Sequence, residues 1–140
     1  MSVYLDASVV VPFFLPDAFT ARALSYLNSA ADQIVVSDFA AAEFASVAGI
    51  RLRNKHLTAA AARTAFSNFD SWLGRYAQPA ATTGSDIGVA ISFLRRLDLT
   101  LRAPDAVNLA IAYRLGAGLA TFDSRMADAA RKLGIDTIEI

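Results

Sequence analysis

The sequence predicts an α/β fold: a three-layer α/β/α sandwich on a central parallel sheet, built by residues 1–140 as a single domain. Three observations predict it. Short apolar runs (Val3-Tyr4-Leu5, Ile34-Val35-Val36, Leu119-Ala120-Thr121) alternate with longer stretches of helical periodicity, as strand–helix crossovers do. The 140 residues are 55% hydrophobic, an excess carried by alanine and aliphatics that suits helices packed closely against a sheet. No repeat, low-complexity tract or linker divides the chain.

The elements follow in order. Val3 to Leu5 is a short buried strand that stops at Asp6. Residues 17–31 carry Ala18, Ala21, Leu24 and Leu27 at near-helical spacing. Residues 33–36 are a second strand, and Ser37 is a natural N-cap for a helix running to about Asn54. Thr58 caps a helix through about Tyr76, with Ala61, Ala65, Phe69 and Trp72 along one side. Pro79 breaks the chain, residues 80–82 form a short third strand, and residues 86–97 a helix. Pro104 suits the first position of the next helix, which Gly116 ends. Residues 118–121 read as a strand, 123–133 as a helix and 137–140 as a last strand.

Composition removes several functional classes. With no cysteine, neither a disulfide framework nor a cysteine-ligated zinc site is possible. Mean hydropathy is +0.39, yet the longest early apolar stretch, Ala7 to Pro16, contains two prolines and falls far short of the roughly 20 residues a spanning helix needs. An acid, Asp6, precedes that stretch and the first basic residue is Arg22, the reverse of a secretory leader. The expectation is an untargeted cytoplasmic protein with no membrane partner. A formal charge of zero argues mildly against nucleic acid as a partner, because phosphate neutralisation normally drives that affinity.

Most of the 13 acids have ordinary explanations. Asp17, Asp32, Asp86 and Asp136 stand at turns or helix starts, Asp38 lies in a first helical turn, and Asp70, Asp98, Asp128 and Glu139 read as solvated. Four do not fit so simply. Asp6 ends an apolar strand and precedes Val9-Val10-Val11. Glu43 sits among Ala40, Ala41, Ala42, Phe44 and Ala45, with no helical neighbour to pair its charge. Asp105 follows Pro104 and leads into Ala106-Val107-Asn108-Leu109-Ala110, and Asp123 follows the strand ending near Thr121. Each has a plain alternative as a turn, cap or helix-start acid. All four nevertheless fall at the same predicted edge, where open parallel sheets collect ligands. Asp6 and Asp123 stand at carboxyl ends of strands, with Glu43 and Asp105 at helix positions that can reach that rim. Two carboxylates at ~5 Å and an effective dielectric near 20 repel by roughly 3 kcal/mol. Such a group demands protons or a cation, and oxygen-only ligands favour magnesium, or manganese, over zinc.

These residues resemble the PIN-domain ribonucleases, in particular the VapC-type toxins of toxin–antitoxin pairs, over essentially the whole chain. Val3-Tyr4-Leu5-Asp6-Ala7-Ser8 is similar to the family's opening block, and Ser37 with Glu43 six residues on to its second. Residues 104–110 resemble the third block, with Asn108 where histidine or another polar residue often stands, and Leu119-Ala120-Thr121-Phe122-Asp123 the fourth. The resemblance implies a magnesium-dependent endoribonuclease, usually homodimeric, that cuts structured RNA such as transfer or ribosomal RNA. A cognate VapB-type antitoxin would silence it by placing a C-terminal segment in the site.

On that reading Asp6, Asp105 and Asp123 are the metal ligands, and Glu43 binds through water or orients the attacking water. Ser8, Thr121 and Asn108 position water or a carboxylate, against the plainer alternative of capping and core hydroxyl satisfaction. The lone histidine, His56, lies far from every acid block in sequence, which disfavours histidine-driven cleavage. Arg51, Arg53 and Lys55 beside His56, and Arg95, Arg96 and Arg102 before Asp105, are the candidates for phosphate contact, or else solvated faces. Competing classes fare worse. A haloacid-dehalogenase-type phosphatase needs an aspartate where Ser8 stands, and a receiver-type domain fails on similar grounds. A PIN-like module that binds RNA or protein without catalysis remains open.

Overall fold

A computed structural model describes residues 1–140. Five strands form one sheet: β1 (Ser2–Leu5), β2 (Gln33–Ser37), β3 (Ala77–Ala80), β4 (Gly118–Ala120) and β5 (Thr137–Ile138). Their order is β3-β2-β1-β4-β5, and every neighbouring pair is parallel. Seven helices connect and flank them: α1 (Ala7–Phe14), α2 (Thr20–Ser29), α3 (Asp38–Arg53), α4 (Ala59–Tyr76), α5 (Gly84–Arg95), α6 (Ala103–Leu115) and α7 (Ser124–Lys132). None is long and apolar enough to cross a membrane.

The two-residue period of the strands divides the core into two layers. Val3, Leu5, Ile34, Val36 and Ala120 face α1 to α4, where Phe44 and Phe69 are buried. Tyr4, Val35 and Leu119, which lie side by side in register, face α5, α6 and α7 instead. This is the three-layer sandwich expected from the sequence. Local chemistry starts and stops the helices. Ser37 Oγ accepts the Ala40 amide, Thr58 Oγ1 accepts the Ala61 amide, and Gly116 ends α6 in the left-handed region at φ 59°.

Three expectations need correction, and one helix stands where the sequence reading assigned no element. A helix, α1, follows Asp6 directly, although Val9-Val10-Val11 is β-branched and Pro12 lies within it. Burial of Val9, Val10 and Val11 against the sheet outweighs their weak helix preference. Helix α2 starts at Thr20, not Asp17, and turns Ala23 inward while Ala18, Ala21 and Leu24 are exposed. In α4 the inward face runs through Ala62 rather than Ala61. Alanine-rich stretches mark a helical face poorly, because alanine is tolerated on either side. Finally, β3 spans Ala77–Ala80 and contains Pro79. A proline is tolerated there because β3 is an edge strand, with no neighbour on its outer side to need the missing N–H.

Candidate functional site

Chain direction across the sheet reverses between β1 and β4: one crossover series runs outward through β2 and β3, the other through β4 and β5. The carboxyl ends of these two strands therefore frame the crevice where doubly wound sheets bind ligands. Asp6 stands at one end and Thr121 at the other, and their side chains meet across the gap.

The meeting is tightly specified. Ser8 Oγ donates to Asp6 Oδ1 at 2.7 Å, and Thr121 Oγ1 donates to Asp6 Oδ2 at 3.1 Å. The same hydroxyls accept backbone amides, Phe122 N onto Ser8 at 2.8 Å and Asp123 N onto Thr121 at 3.0 Å. Asp6 is only 3% exposed. Although Asp6 is the N-cap residue of α1, its side chain makes no cap bond there; it is committed to the crevice instead. Asp123 Oδ1 caps α7 by accepting the Arg125 and Met126 amides at 2.9 and 3.1 Å.

Glu43 reaches the same rim from the second turn of α3. Its Oε1 accepts from Asn108 Nδ2 at 2.7 Å, and the same nitrogen donates to the Pro104 carbonyl at 3.0 Å. Asp105, one turn earlier on α6, folds back on its own helix start: Oδ2 accepts the Arg102 amide at 2.9 Å and lies 3.5 Å from Arg102 Nε. A cleft of about 580 Å³ is lined by Ser8, Glu43, Asp123, Phe19 and Phe122 among others. Asp105 lines a smaller adjoining recess of about 100 Å³ with Arg102 and Arg125, and Asp123 borders both.

Electrostatics tie the acids together. Burial pushes the Asp6 carboxyl up to about 7; hydrogen bonds from Ser8 and Thr121 oppose the rise, and the charges of Glu43 and Asp123 add to it. Burial likewise raises Glu43, against the Asn108 hydrogen bond, with Asp105 raising it further and Arg102 opposing. Each acid thus feels at least one of the others. No three of them stand close enough to hold a metal ion among themselves. The donor chemistry still fits magnesium. Glu43 Oε2, Asp105 Oδ1 and Asp123 Oδ2 make no hydrogen bond or ion pair within the chain. Magnesium characteristically takes one or two carboxylates directly and keeps several waters to reach the rest.

The six basic candidates are placed less uniformly. Arg51 is engaged with Asp17 at 3.1 Å and Arg96 with Asp98 at 2.8 Å. Arg53, Lys55 and Arg95 are exposed, away from the acids' hydrogen bonds, and only Arg102 touches one of the four carboxylates. Three features escaped the sequence reading. Arg125 lines the recess beside Asp105 and Asp123. Asp86, read as an ordinary helix-start acid, is 1% exposed and bound by Arg114 through Nε at 2.7 Å and Nη2 at 3.0 Å. Tyr4 is fully buried directly beneath the site, with its hydroxyl 2.6 Å from both Ser37 Oγ and Asn108 Oδ1. Its signal was available: a tyrosine in an otherwise aliphatic buried strand must find a partner for its hydroxyl.

The family model for the PIN domain matches residues 3–132. No curated protein sequence matches the chain significantly. Among solved structures, the chain is similar to VapC20 of Mycobacterium tuberculosis, described as a sarcin–ricin loop cleaving toxin. That pair shares 19% identity over 99% of both chains, with a TM-score of 0.76. It is also similar to VapBC2 of Rickettsia felis, bound to a DNA fragment from its promoter, at 15% identity over 99% of this chain and 98% of the other, TM-score 0.68. FitAcB of Neisseria gonorrhoeae matches at 16% identity over 98% and 96%, TM-score 0.65.

Proposed function

Because the chain belongs to the PIN-domain family, we propose that it is a metal-dependent endoribonuclease serving as the toxin of a VapBC-type toxin–antitoxin pair. One observation carries the reading. A buried aspartate, Asp6, is pinned at the sheet's switch point by Ser8 and Thr121, while Glu43 and Asp123 open onto the cleft beside it. The similarity to toxin folds supports it. The reading includes a structured RNA substrate, a cytoplasmic setting, a homodimeric state and a VapB-type antitoxin as partner.

Asp6, Asp105 and Asp123 would hold magnesium, or manganese, with Glu43 joining through water. When bound, the ion supplies Lewis-acid polarisation of a phosphate and a water acidic enough to attack at neutral pH. The chain's own residues do the rest. Ser8 and Thr121 hold both Asp6 oxygens in one orientation, so the carboxylate does not have to be ordered during the reaction. Asn108 fixes Glu43 with one oxygen bonded and the other free to accept a proton from water. Arg102, whose side chain is 82% exposed beside Asp105, is placed to meet a phosphate at the rim.

The test is RNA cleavage by the purified chain, with EDTA and then with excess magnesium or manganese. Cleavage lost with chelator, regained with metal, and absent in Asp6→Ala supports the reading; cleavage that persists in EDTA rejects it. The open spacing of the acids favours a second reading, a non-catalytic PIN-like module that binds RNA or protein. RNA binding with no cleavage under any metal would select it.

A further inference from the structure

A continuous chain of buried hydrogen bonds begins at the N-terminus of α3 and returns to Glu43 on that same helix. The Ala40 amide donates to Ser37 Oγ at 3.0 Å, Ser37 Oγ lies 2.6 Å from Tyr4 Oη, and Tyr4 Oη lies 2.6 Å from Asn108 Oδ1. Asn108 Nδ2 then donates to Glu43 Oε1 and the Pro104 carbonyl. The two ends fix the direction of every proton between them. A backbone N–H can only donate, and a carboxylate and a carbonyl can only accept. Asn108 must therefore turn its nitrogen toward Glu43 and Pro104, which leaves Oδ1 to accept from Tyr4. Tyr4 thereby commits its only proton, so Ser37 donates to Tyr4 and receives from Ala40. No group in the chain is left over, and no second arrangement satisfies it.

Tyr4, Ser37 and Asn108 are each no more than 1% exposed, so water is poorly placed to substitute for any of them. The register places Tyr4 between Val35 of β2 and Leu119 of β4, two positions before the crevice residue Asp6 and on the face opposite Leu5. From there its hydroxyl meets both the Ser37 cap of α3 and the Asn108 amide of α6, and so joins the two helices.

We propose that Tyr4 is a positioning residue: its hydroxyl holds the Asn108 amide in the one orientation that aims Glu43 into the cleft. Tyr4 touches no substrate and acts through Asn108. The structural half of this inference stands on the hydrogen bonds alone, and only its consequence for turnover rests on the nuclease reading.

Tyr4→Phe tests it, since the ring keeps its packing and only the hydroxyl is lost. In the metal-free chain, NMR of the Asn108 side-chain amide should show hydrogen exchange accelerated by about tenfold or more over wild type. In RNA cleavage, kcat should fall by about 10- to 100-fold, the usual effect of losing an outer-shell partner, with KM changed less than about threefold. Ile111→Val is the control. It trims a fully buried residue of the same helix without touching the chain of hydrogen bonds. It should lower the melting temperature and leave both readouts near wild type. Unchanged Asn108 exchange in Tyr4→Phe overturns the positioning role, whether or not RNA is cut. Accelerated exchange with unchanged kcat overturns the link to turnover. A kcat loss that Ile111→Val reproduces at matched stability overturns it too. A wild-type chain that cuts no RNA refutes the nuclease reading while the exchange measurement still decides what Tyr4 does.

Discussion

Replacing Asp6 with asparagine should make the metal-free chain more stable at neutral pH and above, by an amount that vanishes in acid. Asp6 is 3% exposed, and burial carries its carboxyl from an ordinary 3.8 to about 7. The folded chain therefore holds a proton that the unfolded chain has already released between those values. Stability contributed by this group is complete below about 4, declines as pH rises toward 7, and levels off beyond. A change in proton affinity of that size corresponds to about 4 kcal/mol at most, at about 1.4 kcal/mol per tenfold. Relaxation around a coupled set of acids brings the expectation to about 2–4 kcal/mol. Asparagine keeps the shape and can still exchange hydrogen bonds with the Ser8 and Thr121 hydroxyls.

Urea unfolding in EDTA across pH 4 to 8.5 reads the effect. With a slope of about 1.5 kcal/mol per molar, the Asp6→Asn midpoint should lie about 1–3 M above wild type at pH 8 and coincide with it near pH 4. Glu43, raised in the same direction, titrates in both chains and largely cancels in the difference. Magnesium adds a second arm. An ion bound by the native state restores the charged carboxylate, so it should flatten the wild-type pH dependence and leave Asp6→Asn nearly unmoved. A stability difference constant across the pH range would refute the argument from burial. Equal magnesium effects on both chains would remove Asp6 from the metal site.

Asp86→Ala should cost about 3 kcal/mol of unfolding free energy, because it removes the buried half of a bidentate pair and strips Thr83 of its reciprocal cap. Burial alone would raise the Asp86 carboxyl, but hydrogen bonds from Arg114 and Thr83 and the Arg114 charge outweigh it and hold it below the usual range. That contribution should be present above about pH 4 and fade as pH falls through the lowered value, which acid titration of wild type against the variant checks. Gly116→Ala should cost about 1 kcal/mol by thermal melting, since φ is 59° and no atom lies within 4 Å of the added methyl, so the loss is conformational. Arg102→Ala should raise KM for RNA and reduce the logarithmic salt slope of binding by about 1, with little change in folding; an unchanged slope would remove Arg102 from phosphate contact.

The fold was legible where the physics is local. Apolar strands, the Ser37 and Thr58 caps and the Gly116 stop each depend on one or two residues, and they stand where the sequence placed them. It was illegible where long-range packing decides. Helix α1 contradicts the preference of its own Val9-Val10-Val11 and forms because the sheet buries them. Pro79 reads as a break until the strand order shows β3 at the edge. Asp86 reads as an ordinary first-turn acid because Arg114, its partner 28 positions later, cannot be paired with it by spacing alone.

The site divides the same way. That Asp6, Glu43, Asp105 and Asp123 belong to one edge follows from their places at strand and helix ends, and the cleft and its adjoining recess collect three of them while Asp6 lies buried under Ser8. Their separation does not follow. Like charges repel by roughly 3 kcal/mol per close pair, and each of the four takes its own hydrogen-bond donor. Asp6 takes two hydroxyls, Glu43 an amide nitrogen, Asp105 and Asp123 the N–H groups at helix starts. Three of the four keep one oxygen unengaged. In Glu43, Asp105 and Asp123 one oxygen holds the side chain in place and the other is spare, a division that would let a hydrated cation bind without reorganising the fold.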